Sequence, residues 1–80
     1  MRLDKFLKVS RILKRRTVAA EACDMGKVFV NGRSAKPGHK LKPGDEVIIE
    51  FVGSRLRFRV LELNEKARKE EASALYEIIE

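Results

Sequence analysis

The apolar residues of this chain change period once, and the change falls at Gly26. Before it, Leu3, Phe6 and Leu7 recur at i, i+3 and i+4, the spacing of one helical face. After it, Lys27-Val28-Phe29-Val30 reads as a strand, and Asn31-Gly32 follows. That dipeptide is the strongest short hairpin signal, because both residues accept positive φ. Helices first and strands after predict an α+β fold: two N-terminal helices packed on a small, mostly antiparallel sheet, with a short C-terminal helix.

The first helix is expected over residues 1–10. Ser10 to Lys14 links it to a second, from about Arg15 to Met25. The apolar stripe of that helix is Val18, Ala22 and Met25, with Ala19 and Cys23 beside it. Lys14 stands at the cap position, where Ser, Asp or Asn is usual. Gly26 ends the helix, as glycine does where a left-handed conformation is needed. Arg33-Ser34-Ala35 returns from the hairpin, and Lys36 to Lys40 is a loop. Pro43-Gly44 makes a turn. Glu46 to Val52 and Arg55 to Leu63 are strands joined at Gly53-Ser54. On the last of these, Leu56, Phe58 and Val60 face in, Leu61 is a further inward candidate, and Arg55, Arg57 and Arg59 face out. The tail from Glu65 reads as a short helix and then an extended end that packs on the sheet. No repeat or linker interrupts the chain, so residues 1–80 read as a single domain.

Eighty residues support only a thin core, since a domain this small buries about 60% of the surface its unfolded chain exposes. One cysteine, Cys23, cannot form an intrachain disulfide, which points to the cytoplasm. Met1 to Lys5 is followed by no apolar run of the signal-peptide kind. No stretch approaches the roughly 18 apolar residues of a membrane span.

The net charge is +6, and its placement says more than its size. Residues 1–16 hold seven basic side chains, Arg2, Lys5, Lys8, Arg11, Lys14, Arg15 and Arg16, against one acid, Asp4. The other 64 residues hold 11 basic and 11 acidic side chains, which cancel. A localised positive patch attracts a polyanion, and nucleic acid is the commonest one. A merely solvated helix face would normally mix both signs. Arg15 and Arg16 also sit in the first turn of a helix, where the dipole disfavours cations by some tenths of a kcal/mol. That placement points to something anionic that rewards it.

Other chemistry is missing from the sequence. His39 lies alone in a Pro/Gly loop, far from Cys23, with no metal-ligand spacing. Cys23 reads as a small buried hydrophobe. Gly44-Asp45 belongs to a turn between strands, not to a phosphate-binding loop. The acids form no pair that could tune a general acid. No enzyme, cofactor, metal or small-molecule substrate is expected. Phe6 belongs to the core stripe, not to base stacking.

The seven cations would converge on one surface if the two helices pack at an angle. Lysine supplies point charge, and the arginine fork matches phosphate and stacks on bases. Such a surface reads shape and backbone, which suits structured RNA. Asp4 is expected to pair with a neighbouring arginine and orient it. A DNA-binding helix-turn-helix is the alternative, but residues 10–14 lack a glycine-bearing turn and no dimerisation heptads appear. A basic module for a membrane surface or a protein partner is another, but the patch has no Trp and the core needs its apolar stripe.

Two basic helices, a Gly, a Val-x-Val-Asn-Gly hairpin and a Lys-Pro-Gly-Asp turn into a strand form a combination with a known counterpart. Arg2-Leu3-Asp4-Lys5-Phe6-Leu7, Arg16, Gly26, Val28 to Gly32 and Lys42 to Val47 resemble the RNA-binding domain named after ribosomal protein S-four. The resemblance covers residues 1–50, the recognisable RNA-binding core, and leaves 64–80 as a C-terminal extension. Lys14 stands where many members carry a Ser or Thr cap. The whole chain, through Lys69-Glu70-Glu71-Ala72 and Leu75-Tyr76, is similar to the stand-alone RqcP-type quality-control subgroup. That subgroup is related to the fifteen-kilodalton ribosome-associated heat-shock protein. The resemblance implies a cytoplasmic, ribosome-associated factor that binds obstructed large subunits, touches large-subunit rRNA and holds P-site tRNA. An RqcH-type partner would then add C-terminal alanine tails. It also implies that Arg2 and Arg16 are the main RNA contacts. Lys5, Lys8, Arg11, Lys14 and Arg15 join them on the charge argument alone.

Overall fold

The computed structural model describes residues 1–79; Glu80, the end of the expected extension, lies outside the described residues. Helix α1 spans Leu3–Val9 and α2 spans Arg16–Asp24. Strands β1 (Val28–Val30), β2 (Arg33–Ser34), β3 (Glu46–Phe51) and β4 (Ser54–Val60) follow. A 3₁₀ helix, Lys69–Leu75, leads into β5 (Tyr76–Ile78). The sheet order is β2-β1-β3-β4-β5, antiparallel at every pairing. This is the α+β architecture expected from the change of period, including the short helix and extended end of the tail.

Leu3, Phe6 and Leu7 of α1 are fully buried, as their spacing requires. Helix α1 ends without glycine. Arg11 takes the left-handed conformation instead (φ 63°), and the Leu13 N–H donates to the Leu7 carbonyl at 3.0 Å. Helix α2 ends in a Schellman motif. The Lys27 N–H donates to Ala22 O and the Gly26 N–H to Cys23 O, both at 3.0 Å, with Gly26 at φ 74°.

The stripe expected on α2 is rotated by one residue. Ala19 and Cys23 are buried, whereas Val18 is 45% and Met25 67% exposed, and Met25 lies past the helix at its C-cap. Ala19 and Cys23 are small and four residues apart, so they share a face and let α2 approach closely. The start of α2 also moves by one. Arg15, extended at φ −130° and ψ 139°, occupies the cap position in place of Lys14, and its side chain makes no capping hydrogen bond.

Asn31 (φ 51°) and Gly32 (φ 83°) turn the β1–β2 hairpin. The Asn31 side chain then ties the hairpin to β3. Its Nδ2 donates to Asp45 at 3.1 Å, and its Oδ1 accepts from the Glu46 N–H at 3.0 Å. Strand β4 stops at Val60, three residues before the expected end, because the Leu61 N–H turns away to the Leu75 carbonyl at 2.8 Å. Leu61, offered as an inward residue, is 44% exposed for that reason, while Phe58 and Val60 are fully buried.

Phe58 joins the two layers. Its ring stacks near-parallel to Phe6 of α1 at 6.2 Å, and Tyr76 of β5 meets it edge-on at 5.6 Å. The helices cover one sheet face and leave the other open, with Arg55 and Arg57 exposed and Arg59 partly so.

Candidate nucleic-acid interface

Arg2 caps the start of α1, and Arg16 opens α2. One carboxylate holds both. Asp4, only 4% exposed, accepts from Arg2 Nε at 3.1 Å and Arg2 Nη2 at 3.3 Å, and Arg16 Nε lies 3.3 Å from its second oxygen. The Lys5 backbone N–H donates to the same carboxylate at 2.8 Å. Burial alone would raise the Asp4 pKa. Hydrogen bonds from Arg2, Arg16 and the Lys5 backbone, together with the Arg16 charge, outweigh burial and hold the carboxyl below its ordinary value. It is therefore ionised at neutral pH. The arginine side chains stay about half exposed, at 53% and 47%. Most donors of each five-donor fork still face solvent.

The loop from Lys36 to Lys40 completes this corner. The Leu3 N–H donates to His39 O at 2.8 Å and the Asp4 N–H to Pro37 O at 3.1 Å. These bonds satisfy N–H groups at the helix start that have no intrahelical partner. Arg2 and Lys40 form an isolated antiparallel bridge. A Cβ placed on Gly38 would lie 3.8 Å from Arg2 Cζ, so the loop backbone runs directly beneath the guanidinium. Lys40, bridged to Arg2, is exposed, as are Lys36 and His39 of the same loop. Their basic or titratable character was legible, but nothing local in the sequence signals a contact across the hairpin.

The other predicted cations divide. Lys8, Arg11 and Lys14 line a concavity of about 370 Å³ with Val9, Leu13, Glu65 and Ala67. Helix α1 has seven residues, so this group lies about 10 Å from Arg2 along the axis. Lys5, on the α1 surface, is tied at 3.3 Å to Glu65 of the C-terminal extension. Arg15 is exposed at the α2 cap. Among the described residues, no carboxylate lies within 4.0 Å of Lys8, Arg11, Lys14 or Arg15.

The sheet arginines are differently occupied. Arg57 reaches Glu46 at 2.7 Å, and Arg59 reaches Glu77 at 2.7 Å and Glu46 at 3.8 Å. Among the described residues, no group of three or more His, Cys, Asp and Glu side chains could hold a metal. Burial, with the charges of Asp4 and Asp24 behind it, pushes the Cys23 thiol up to about 11. It stays protonated and unreactive at neutral pH.

A family model for the S4 domain matches residues 1–47. A Halalkalibacterium halodurans protein named RQC P-site tRNA stabilizing factor is 53% identical over 78 residues, covering 98% of this chain and 89% of the relative. The chain belongs to the S4-domain family, among its RQC P-site tRNA stabilizing factors. The Bacillus subtilis member of that name is 48% identical over 79 residues, with 99% and 92% covered. Trimeric heat shock protein 15 of Vibrio cholerae superposes with a TM-score of 0.91 at 29% identity, over 99% of this chain and 81% of that one. The S4 match ends inside β3. The segment that supplies Glu65 and Leu75 lies beyond it but within the full-length likeness to the stabilizing factors.

Proposed function

We propose that this S4-domain protein binds RNA without catalysis, as a cytoplasmic factor of ribosome-associated quality control. Its target is the obstructed large ribosomal subunit that still holds P-site tRNA. It touches large-subunit rRNA and the tRNA, and it keeps peptidyl-tRNA in place while an RqcH-type partner adds C-terminal alanines. Arg2 and Arg16 make the main contacts. Lys5, Lys8, Arg11, Lys14 and Arg15 add phosphate contacts around them.

The observation that supports this most is the convergence of Arg2 and Arg16, from two helices, on one buried carboxylate. The names of the relatives, at about half identity along nearly the whole chain, supply the biological setting. Duplex DNA is a poorer fit, because α1 is buried along Leu3, Phe6 and Leu7 and α2 is only nine residues long. A membrane surface is a poorer fit too, because the apolar residues of α1 are consumed by the core.

The test is sedimentation of the tagged protein from bacterial lysate on a sucrose gradient, beside Arg16→Ala. Co-migration with free large subunits carrying tRNA, lost in the variant, is expected. Both proteins remaining at the top of the gradient would refute the reading.

A further inference from the structure

We propose that Asp4 is a specificity-determining positioning residue, which sets Arg2 and Arg16 for a folded RNA target while lowering attraction to unstructured polyanion. The inference rests on the function proposed above and concerns how the same surface discriminates.

The geometry makes Asp4 unlike the other acids of the chain. Its side chain is 6% exposed, and it reaches two arginines from two different helices. The Lys5 backbone N–H fixes the carboxylate itself. The Gly38 loop lies beside Arg2, where an added Cβ would come within 3.8 Å of its Cζ. A free arginine loses rotamer freedom when RNA immobilises it, and two arginines lose it twice. Asp4 settles part of that loss before binding, and the half-exposed forks keep donors free for phosphate or base. The effect of its negative charge on a polyanion is the reverse. Net charge is +6 with Asp4 ionised, so removing that charge strengthens long-range attraction to any RNA. Positioning and net charge therefore predict opposite signs for one substitution.

Asp4→Asn keeps the shape and an acceptor for the Lys5 N–H but removes the charge. Its affinity is compared with the wild type on two probes at fixed salt: purified large subunits carrying P-site tRNA, and single-stranded poly(U). The expected result is binding weakened about tenfold on the subunits, the size of a coupled side-chain network. On poly(U) binding tightens about two- to fivefold, the size of one extra charge. An unfolded variant is recognised by its amide NMR spectrum. Arg2→Ala with Arg16→Ala gives the second control. In that background Asp4→Asn should no longer weaken subunit binding, whereas a purely structural acid would still do so. The rotations of the Arg2 and Arg16 Nε–H bonds, measured by NMR relaxation in the free protein, should be restricted in the wild type and free in Asp4→Asn.

Tighter binding of Asp4→Asn to both probes would overturn the proposal and leave the ribosomal reading standing. Equal wild-type affinity for subunits and poly(U) would overturn both.

Discussion

Two regions of this molecule set arginines beside carboxylates, and only one of them reads as a binding surface. At the helical corner, Arg2 and Arg16 share Asp4, so two cations meet one anion that is almost wholly buried. On the open sheet face, Arg57 and Arg59 meet Glu46 and Glu77, all four partly exposed, and the charges cancel. The number of arginines is similar. What differs is the ratio of charges and the direction each group faces. A buried acid can orient a cation without offering its own charge to solvent, whereas an exposed acid competes with any incoming phosphate. Exposed pairs also contribute little to stability.

The largest expected contrast is in binding. Arg2→Ala with Arg16→Ala should weaken binding to large subunits carrying P-site tRNA about a hundredfold or more, since each charge-assisted hydrogen bond contributes roughly 1.5–3 kcal/mol. Arg57→Ala with Glu46→Ala, which leaves the net charge unchanged, should leave it within about threefold, as expected where no phosphate contact is lost. Equilibrium binding of the two double variants decides this, and comparable losses would erase the distinction between the regions.

Stability should divide the same way. Asp4→Ala leaves two guanidinium groups and the Lys5 N–H without their acceptor, at a cost of roughly 1–3 kcal/mol. A domain this size loses about 4–8 °C in Tm per kcal/mol. Glu46→Gln should leave the melt unchanged within error, because solvent already screens that pair.

The pH dependence follows from the sign of the Asp4 shift. Its folded pKa lies below the unfolded one, so its contribution is complete at neutral pH. It is lost as pH falls below about 4 and through the folded value. Thermal melts should show wild type losing more stability than Asp4→Asn between neutral pH and that acid range. A parallel decline would mean that the carboxylate is not coupled to folding.

Salt dependence gives a smaller effect. If about five cations touch phosphate, log affinity falls with log salt at a slope near −4, and Arg16→Ala lowers the slope by about one unit. Arg57→Ala should not change it. The smallest effect is at Arg11. Arg11→Gly relieves a left-handed backbone and should raise stability by roughly 0.5–1 kcal/mol, while removing one cation from the concavity beside α1.

Much of this could be read from local patterns. Leu3, Phe6 and Leu7 named the buried face of α1, Asn31-Gly32 named the hairpin, and the cluster of cations before Thr17 named the basic end. The pairing of Asp4 with an arginine was legible because Arg2 is two residues away. The second partner, Arg16, was not, because it depends on how α2 crosses α1. The phase of α2 is not carried by its larger apolar residues, for a related reason. Val18 and Met25 are the larger apolar residues, but close packing of the helices selects the small Ala19 and Cys23. Lys5 with Glu65, and Arg2 over the Gly38 loop, join segments far apart in sequence and have no local signature. The sheet arginines could be placed outward by alternation, but only the register with Glu46 and Glu77 reveals that they are neutralised.

The central claim is that the helical corner faces RNA and the sheet ladder does not. Site-specific photo-crosslinking tests it most directly. A photoreactive residue replaces Arg15, at the α2 cap beside Arg16, or Arg55, on the open sheet face, and each protein is added to large subunits carrying P-site tRNA. The account predicts crosslinks to rRNA or tRNA from position 15 and none from position 55. RNA crosslinks from position 55 alone would contradict it.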